Sequence, residues 1–199
     1  MCGIIGYIGN KKASNVLLSG LKRLEYRGYD SAGICTIEES DLITTKCIGK
    51  VSDLENNINE GTHDGFIGIG HTRWATHGGV TQANAHPHLS YKREFVIVHN
   101  GIFSNYQELR EQLMDQDVVF ESLTDTEVFV NLLEASYSES NDLEKAFKWL
   151  DKADKCTRKL IDITFEWIQK RNLEIISSII LLIIFGILAQ LGIIPKLIN

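Results

Sequence analysis

The chain begins with the residues MCGIIG, residues 1–6, in which a cysteine directly follows the initiator methionine and precedes an apolar run. If Met1 is removed, Cys2 carries both a thiol and a free α-amine. The thiolate is the reactive form of cysteine, and an α-amine, with a pKa of about 7.7–8.0 in model peptides, can accept the thiol proton. A cysteine that simply enters a strand is the alternative, and the dipeptide alone does not decide between them.

The composition restricts the class of protein. A chain of 199 residues allows one domain, or a small domain with an appendage, and a hydrophobic fraction of 44% is sufficient for a core. The net charge of -6 argues against nucleic acid as a partner, because nucleic-acid binding requires a basic face. The four cysteines lack CxxC spacing and the six histidines form no zinc pattern, so we expect no metal, no cofactor and no disulfide framework. The start of the chain does not have the pattern of a cleaved secretory signal.

Hydrophobic periodicity predicts strands and helices up to about residue 137. Thr124 is expected to cap a helix that has Asp125 and Glu127 in its first turn. We interpret Cys35 and Cys47 as core residues of strands. A central pair of apolar β layers with helices beside them indicates a layered α+β domain. The predicted strands cover residues 3–8, 33–37, 43–48, 65–72, 95–98 and 118–120, and the other predicted helices cover 13–24, 52–59 and 105–114.

The character of the chain changes after Tyr137. We interpret the polar stretch SESND, residues 138–142, as a linker, and residues 143–171, which include Cys156, as a helix with an apolar stripe. The run at 175–194 contains no charged residue. About 20 apolar residues span a bilayer as a helix. The alternative, a buried core helix, needs a larger core around it than this chain provides.

The charges that flank this run predict its orientation. Lys170 and Arg171 precede it and only Lys196 follows it, which places the N-terminal domain in the cytoplasm. The expected divisions of the chain are therefore 1–137 for the folded domain, 138–172 for the linker and amphipathic helix, 173–195 for a transmembrane helix, and 196–199 for a tail.

Five polar motifs follow the N-terminal Cys-Gly: LEYRGYDSAG at 24–33, HTRWATHG at 71–78, AHPH at 85–88, HNG at 99–101 and TDTE at 124–127. In this order they resemble the glutaminase domain of the glutamine–fructose-6-phosphate aminotransferases, over residues 1–134. One motif such as HNG is weak evidence, whereas five in order are strong. The phosphoribosylpyrophosphate amidotransferases are the nearest alternative, and the first two motifs favour the aminosugar enzymes. The resemblance implies an N-terminal-nucleophile αββα sandwich.

The resemblance also implies a role for each motif residue in glutamine hydrolysis. Cys2 would attack the side-chain amide, and the Asn100 side chain and the Gly101 N–H would bind the oxyanion. Arg73 is suited to the substrate α-carboxylate and Asp125 to its α-ammonium. The remaining matches are Trp74, Thr76 and His77 as pocket lining, and Arg27 and His86 as loop residues near the site with less certain roles.

Each of these residues also has an ordinary structural interpretation. Arg73 could form a surface ion pair worth about 0–1 kcal/mol, and Asp125 could interact only with the helix dipole. Asn100 and Gly101 could form only a hairpin turn. His77 and His86 could be loop histidines with satisfied hydrogen bonds. Taken together with Cys2, the set favours an active site.

Two departures from the family pattern affect the expected function. The sugar-isomerase domains are absent, so ammonia would be released free or delivered to a separate sugar-phosphate isomerase subunit. The glutaminase domain itself looks truncated, because the strands that follow the TDTE helix in the family are replaced by a helical and apolar tail, which would leave sheet edges uncovered. We therefore expect an incomplete sandwich followed by a long helix and one transmembrane helix, as in a rearranged or frame-altered product. The alternative function is a membrane-anchored remnant or module that binds glutamine without turnover.

Overall fold

Four antiparallel strands form the main sheet of the computed structural model, which describes residues 2–75, 79–103, 105–143 and 145–146. The strands are β1 (Gly3–Ile8), β2 (Ser31–Glu38), β3 (Asp41–Ile48) and β4 (Ile67–Arg73), in the order β1-β4-β2-β3. The predicted hairpin is confirmed, since β2 and β3 pair from Ser31 with Ile48 to Glu38 with Asp41. β4 pairs with β1 and β2, so its C-terminal end lies beside the first residues of β1.

Two helices cover one face of this sheet. α1 (Ala13–Leu24) buries Leu17 and Leu21 against it, as the spacing of its apolar residues predicts. A Cβ atom at Gly70 would lie 3.0 Å from Leu21 Cδ1, so this glycine lets α1 pack closely on β4. α2 (Val51–Asn57) is the predicted helix at 52–59 with slightly different ends, and Val51 and Leu54 complete this first core.

A second, smaller layer lies against the other face of the main sheet. β5 (His88–Leu89) and β6 (Val96–Ile97) form an antiparallel pair. Because side chains alternate along a strand, Ile69, His71 and Arg73 of β4 share one face, and Ile69 packs with Val96 of β6. Cys35 is buried in this core between the sheets, and Cys47 is buried beneath the helices, which confirms both as core residues.

Two further helices complete the layers. α3 (Tyr106–Met114) and α4 (Asp125–Ser140) pack on the outer face of β6, where Ile97 contributes to a third core with Leu113, Phe129 and Leu133. Thr124 caps α4 as predicted, since its Oγ1 accepts a hydrogen bond from Glu127 N at 3.2 Å. The described residues therefore form helix, sheet, sheet and helix layers, as expected of an αββα sandwich.

The structure differs from the predicted elements in four main places, and the first is β5, which was not predicted as a strand. The strand predicted at 118–120 is wrong: no described strand pairs with it, and Val119 is 63% exposed. β6 is shorter than the predicted strand at 95–98, because only Val96 and Ile97 pair with β5. The stretch 138–142, predicted as a linker, includes the last turn of α4, which ends at Ser140 and is capped by Asn141 in a left-handed conformation with φ 47°.

The part of the chain after residue 137 is described only to residue 146. Ala146 is fully buried in the third core, and Leu143 packs against it. The remainder of the helix predicted at 143–171, Cys156 and the apolar run at 175–194 lie outside the described residues. Within the described ranges, the structure contains no helix with the length and apolar character needed to cross a bilayer.

Candidate active site around Cys2

Cys2 lies where the start of β1 meets the end of β4 and the HNG loop. Trp74 N donates a hydrogen bond to Cys2 Sγ at 3.3 Å, and Asn100 Nδ2 donates one to Cys2 O at 3.2 Å. The thiol is half-buried and is not part of a disulfide. The fold thus brings Cys2 into direct contact with two segments that are 72 and 98 residues away in the sequence.

Arg73 is the last residue of β4 and therefore the neighbour of Trp74 in this contact. Its side chain is 7% exposed, and Nη1 donates to Gly79 O at 3.3 Å. Burial lowers the pKa of Arg73, while the nearby Cys2, Asp30 and Asp125 raise it. The guanidinium is thus a partly desolvated cation in an acidic neighbourhood, close to the thiol.

The loop at 24–33 packs against the end of β4 and fixes its path. Asp30 Oδ2 accepts a hydrogen bond from Ala75 N at 2.8 Å, and Asp30 N donates to Arg73 O at 3.1 Å. A Cβ atom at Gly28 would lie 2.6 Å from the backbone carbon of Arg73, so only glycine allows this approach. Asp30 was not among the predicted site residues, although it lies within the first motif.

Trp74 presents its indole at the surface beside the thiol. The side chain is 43% exposed, and its ring packs edge-on against Tyr29 with centroids 5.5 Å apart. A half-exposed aromatic ring next to Cys2 can line a pocket for a small apolar or aliphatic segment. The other predicted lining residues, Thr76 and His77, lie outside the described residues.

Asn100 and Gly101 follow β6 and are both exposed, so a small molecule can reach them. The Oδ1 atom of Asn100 lies 2.9 Å from Nε2 of His71, while its Nδ2 faces Cys2. The HNG motif is therefore not a hairpin turn in this structure. It places an amide donor at the backbone oxygen of Cys2.

Asp125 begins α4 and connects that helix to the HNG loop. Its Oδ2 accepts a hydrogen bond from Phe103 N at 2.8 Å, and the residue is half-buried. Asp125 also raises the pKa of Arg73, so the two predicted recognition groups interact electrostatically. The Asp125 carboxylate and the Arg73 guanidinium thus lie near each other, as a substrate with both an ammonium and a carboxylate group requires.

His86 is buried inside the domain, where it contacts other buried polar side chains. Its ring stacks on His71 with centroids 4.3 Å apart, and its Nε2 lies 3.1 Å from Thr126 Oγ1. Burial lowers the pKa of His71 to about 4 and that of His86 well below its usual value, so both rings are neutral near pH 7. His71 and Thr126 were not among the predicted site residues; the alternation Ile69, His71, Arg73 is the sequence signal that points His71 inward.

Arg27 is the predicted residue for which the structure shows no contact with the thiol region. Its Nε donates to Tyr26 Oη at 3.1 Å, and its guanidinium lies over that ring.

Within the described ranges, no three histidine, cysteine or acidic side chains form a group that could hold a metal. A cavity of about 340 Å³ lies elsewhere, between β3 and the segment before α4, and Lys46, His88 and Glu127 are among its lining residues.

Residues 58–144 match the sequence model of a family described as "Glutamine amidotransferase domain". This part of the chain is a glutamine amidotransferase domain. Glutamine–fructose-6-phosphate aminotransferase [isomerizing] of Methanococcus maripaludis is 53% identical over 148 residues, which is 74% of this chain and 24% of that protein. The enzyme of the same name from Clostridium perfringens is 52% identical over 137 residues, or 69% of this chain and 22% of that protein. The chain thus spans about a quarter of the length of these curated relatives.

Solved structures show the same fold. One, described as the allosteric regulatory enzyme of purine biosynthesis, has a TM-score of 0.65 and 28% identity. Another is glutamine phosphoribosylpyrophosphate amidotransferase from B. subtilis complexed with ADP and GMP, with a TM-score of 0.65 and 26% identity. Each alignment covers 77% of this chain and 33% of the other. The predicted N-terminal-nucleophile fold and the glutaminase class of the domain are confirmed.

Proposed function

We propose that this chain hydrolyses glutamine to glutamate and ammonia, with Cys2 as the nucleophile after removal of Met1. The observation that supports this most is the junction at Cys2. The sulfur lies 3.3 Å from Trp74 N, beside Arg73, and an amide donor of Asn100 lies 3.2 Å from Cys2 O. Nucleophile, oxyanion donor and a group for the substrate carboxylate thus meet at one point.

The reaction follows from these groups. The α-amine of Cys2 takes the thiol proton, and the sulfur forms a bond to the side-chain carbonyl carbon of glutamine. The resulting oxyanion accepts hydrogen bonds from Asn100 Nδ2 and from the Gly101 N–H. The carbon–nitrogen bond then breaks, and the nitrogen leaves as ammonia with the proton from the α-ammonium. Water hydrolyses the γ-glutamyl thioester, which gives glutamate and restores the thiol.

The charged residues hold the two ends of the amino acid. Arg73 binds the α-carboxylate with a bidentate geometry, and Asp125 binds the α-ammonium with the oxygen that is not engaged by Phe103 N. Trp74 lines the aliphatic part of the pocket, together with Thr76 and His77. These last two assignments, and that of Arg27, rest on the resemblance of the motifs.

Ammonia release by the purified full chain tests the proposal. Mass spectrometry must first show that Met1 is absent, because otherwise the nitrogen of Cys2 is an amide and cannot act as the base. We expect Cys2→Ala to abolish ammonia release and Cys35→Ala to retain it, since Cys35 is a buried thiol far from the solvent. Glutamine binding without ammonia release would instead support the module that binds without turnover.

The acceptor of the ammonia is a second proposal. The described residues do not include a sugar-phosphate isomerase domain, and the relatives are named for transfer to fructose 6-phosphate. We propose that the ammonia passes to a sugar-phosphate isomerase, which a separate subunit can supply. Glucosamine 6-phosphate should form only when that protein is added, and its formation by the chain alone would contradict the proposal.

We further propose that the run at 175–194 anchors the chain in a membrane with the glutaminase domain in the cytoplasm. The support is the uncharged composition of the run and the excess of Lys and Arg before it. The chain should remain in membranes after alkaline carbonate washing, and Ile184→Lys should release it, at a cost of about 2.5–3.5 kcal/mol for insertion. Full extraction of the unaltered chain by carbonate would contradict the anchor.

A further inference from the structure

The side-chain amide of Asn100 has two ends, and only one of them can stabilise an oxyanion. The NH₂ end donates hydrogen bonds, whereas the oxygen end repels negative charge. Nδ2 lies 3.2 Å from Cys2 O, and Oδ1 lies 2.9 Å from Nε2 of His71. If the amide were turned end for end, two oxygens would face each other at Cys2. The contact with Cys2 O therefore assigns the NH₂ end to the side of Asn100 that faces Cys2.

This assignment also determines the tautomer of His71. Its Nε2 faces Oδ1 of Asn100, which only accepts hydrogen bonds, so Nε2 must carry the hydrogen. Burial lowers the pKa of His71 to about 4, so the ring is neutral near pH 7 and has a single N–H. That single N–H is donated to Asn100.

A second buried imidazole holds His71 in place. His71 is 1% exposed in β4, and its ring stacks on His86 with planes 23° apart. The Nε2 atom of His86 in turn lies 3.1 Å from the Oγ1 atom of Thr126 in α4. A continuous buried chain of contacts thus runs from α4 through two imidazoles to the amide beside Cys2.

We propose that His71 is a positioning residue, which holds the NH₂ end of the Asn100 amide toward the substrate carbonyl at Cys2. The inference rests on the proposed glutaminase function and deepens it. His71 is too deeply buried to reach a substrate, so it acts only through Asn100. Its loss should therefore weaken transition-state stabilisation and leave ground-state binding of glutamine almost unchanged.

Steady-state kinetics of the full chain test this directly. His71→Leu removes the N–H donor, and we expect kcat to fall about 10–100-fold while KM stays within about threefold. His71→Gln offers an N–H at nearly the same position and should recover most of kcat. Asn100→Ala should lower kcat about 10²–10³-fold, and the double variant with His71→Leu should be no slower, because the two residues act as one unit.

The control is another buried histidine. His63 is fully buried, and its ring nitrogens lie 2.9 Å from Thr36 Oγ1 and 2.8 Å from Thr45 Oγ1, on strands β2 and β3. His63→Leu should lower stability but leave kcat of the folded protein unchanged. Equal losses of kcat in His71→Leu and His63→Leu, or losses that multiply in the double variant of His71→Leu and Asn100→Ala, would overturn the positioning role.

A measurement that does not need activity separates this inference from the proposed function. In the full chain with ¹⁵N-labelled histidine, the His71 ring, assigned with His71→Gln, should be neutral and protonated on Nε2 at pH 7. Protonation on Nδ1 would overturn the inference even in an active enzyme. An Nε2–H ring in a chain that releases no ammonia would support the positioning and overturn the proposed function instead.

Discussion

The described cysteines differ in the environment of their sulfur. Cys35 is 1% exposed, and burial raises the pKa of its thiol to about 12. Burial also raises the pKa of Cys47. Cys2 is half-buried, and a backbone N–H from Trp74 points at its sulfur. Thiolate reactivity should therefore be concentrated at the start of the chain rather than in the strands.

Alkylation can measure this contrast. In the folded protein near neutral pH, iodoacetamide should modify Cys2 well before Cys35 or Cys47, because the buried thiols remain protonated and inaccessible. Peptide mass spectrometry after short exposures reads the order of labelling, and glutamine should slow the reaction at Cys2. In denaturant the three sites should react alike. Equal labelling of Cys35 in the folded state would contradict this assignment.

Arg73 offers a second test at the level of one residue. Arg73→Lys keeps the positive charge but loses the bidentate geometry toward a carboxylate. A lost charge-assisted hydrogen bond costs about 1.5–3 kcal/mol, so kcat/KM for glutamine should fall about 10–100-fold, mainly through KM. Arg23→Lys on the exposed part of α1 is the matched control and should leave both constants unchanged. A change confined to kcat would count against carboxylate recognition.

Among the elements, α4 shows how local sequence places a side chain that we propose binds the substrate. Thr124 accepts a hydrogen bond from Glu127 N at 3.2 Å, which sets where the helix begins. Asp125 is then the first helical residue, with one oxygen bound to Phe103 N at 2.8 Å. The capping pattern TDTE was sufficient to predict this helix start from the sequence, because caps depend on neighbouring residues.

Removal of the cap should affect both stability and substrate binding. We expect Thr124→Ala to lower the free energy of unfolding by about 1–2 kcal/mol and to raise KM for glutamine, because Asp125 loses its fixed position. Thr124→Ser keeps the hydroxyl and should behave like the original protein. Urea unfolding and steady-state kinetics measure the two effects. An unchanged KM in a destabilised Thr124→Ala would separate Asp125 from ammonium recognition.

Strand prediction succeeded for the four strands of the main sheet, which are six to eight residues long, and failed for shorter segments. β2 and β3 form a hairpin, so their alternating patterns reinforce each other. The segment 118–120 has strand composition but no described pairing partner, and composition alone cannot supply one. The predicted strand at 95–98 is longer than β6, because β5 is only two residues long and pairs with only Val96 and Ile97.

Over the whole molecule, the sequence motifs predicted which residues form the candidate site, but not the long-range contacts that position them. The resemblance brought Cys2, Arg73 and Asn100 together, and the structure places them at one junction. Asp30 and His71 were missed because their importance comes from contacts with residues that are distant in the chain. Those contacts depend on the stacking of the two sheets, which hydrophobic periodicity does not specify.

Five of the six histidines lie within the described part of the chain, and burial lowers the pKa of all five: His63, His71, His86, His88 and His99. The folded state thus binds fewer protons than the unfolded state below a pH of about 6.5. The free energy of unfolding is therefore at its full value above that pH and should fall as the pH drops toward 4. Each buried histidine can lower it by at most about 1.4 kcal/mol for each pH unit.

Urea unfolding at pH 7, 6 and 5 tests this expectation. The free energy of unfolding should decrease over this range, before most carboxylates begin to titrate. Its slope against pH should correspond to the uptake of more than one proton on unfolding. Glutaminase assays at the same pH values, restricted to folded protein, separate lost stability from lost chemistry. A stability that is constant from pH 7 to pH 5 would show that these rings accept protons in the folded state.

The end of the folded domain is also testable. The sequence predicts that the domain ends at residue 137, but Ala146 is fully buried in the third core. If this packing belongs to the domain, Ala146→Asp should lower the free energy of unfolding by about 3 kcal/mol or more, because it buries an unpaired charge. Lys145→Ala at the exposed neighbour should change it by about 0.5 kcal/mol at most. A neutral effect of Ala146→Asp would support the earlier boundary.

The position of Cys2 just before β1 has a practical consequence for anyone who produces this protein. If the α-amine of Cys2 is the base, as we propose, an affinity tag or a leftover cleavage scar ahead of Cys2 would convert that amine into an amide and prevent glutamine hydrolysis. Purification handles therefore belong elsewhere, or must be removed so that cysteine is left as the first residue. Under the same proposal, translation from an upstream start codon would yield a folded chain that does not hydrolyse glutamine.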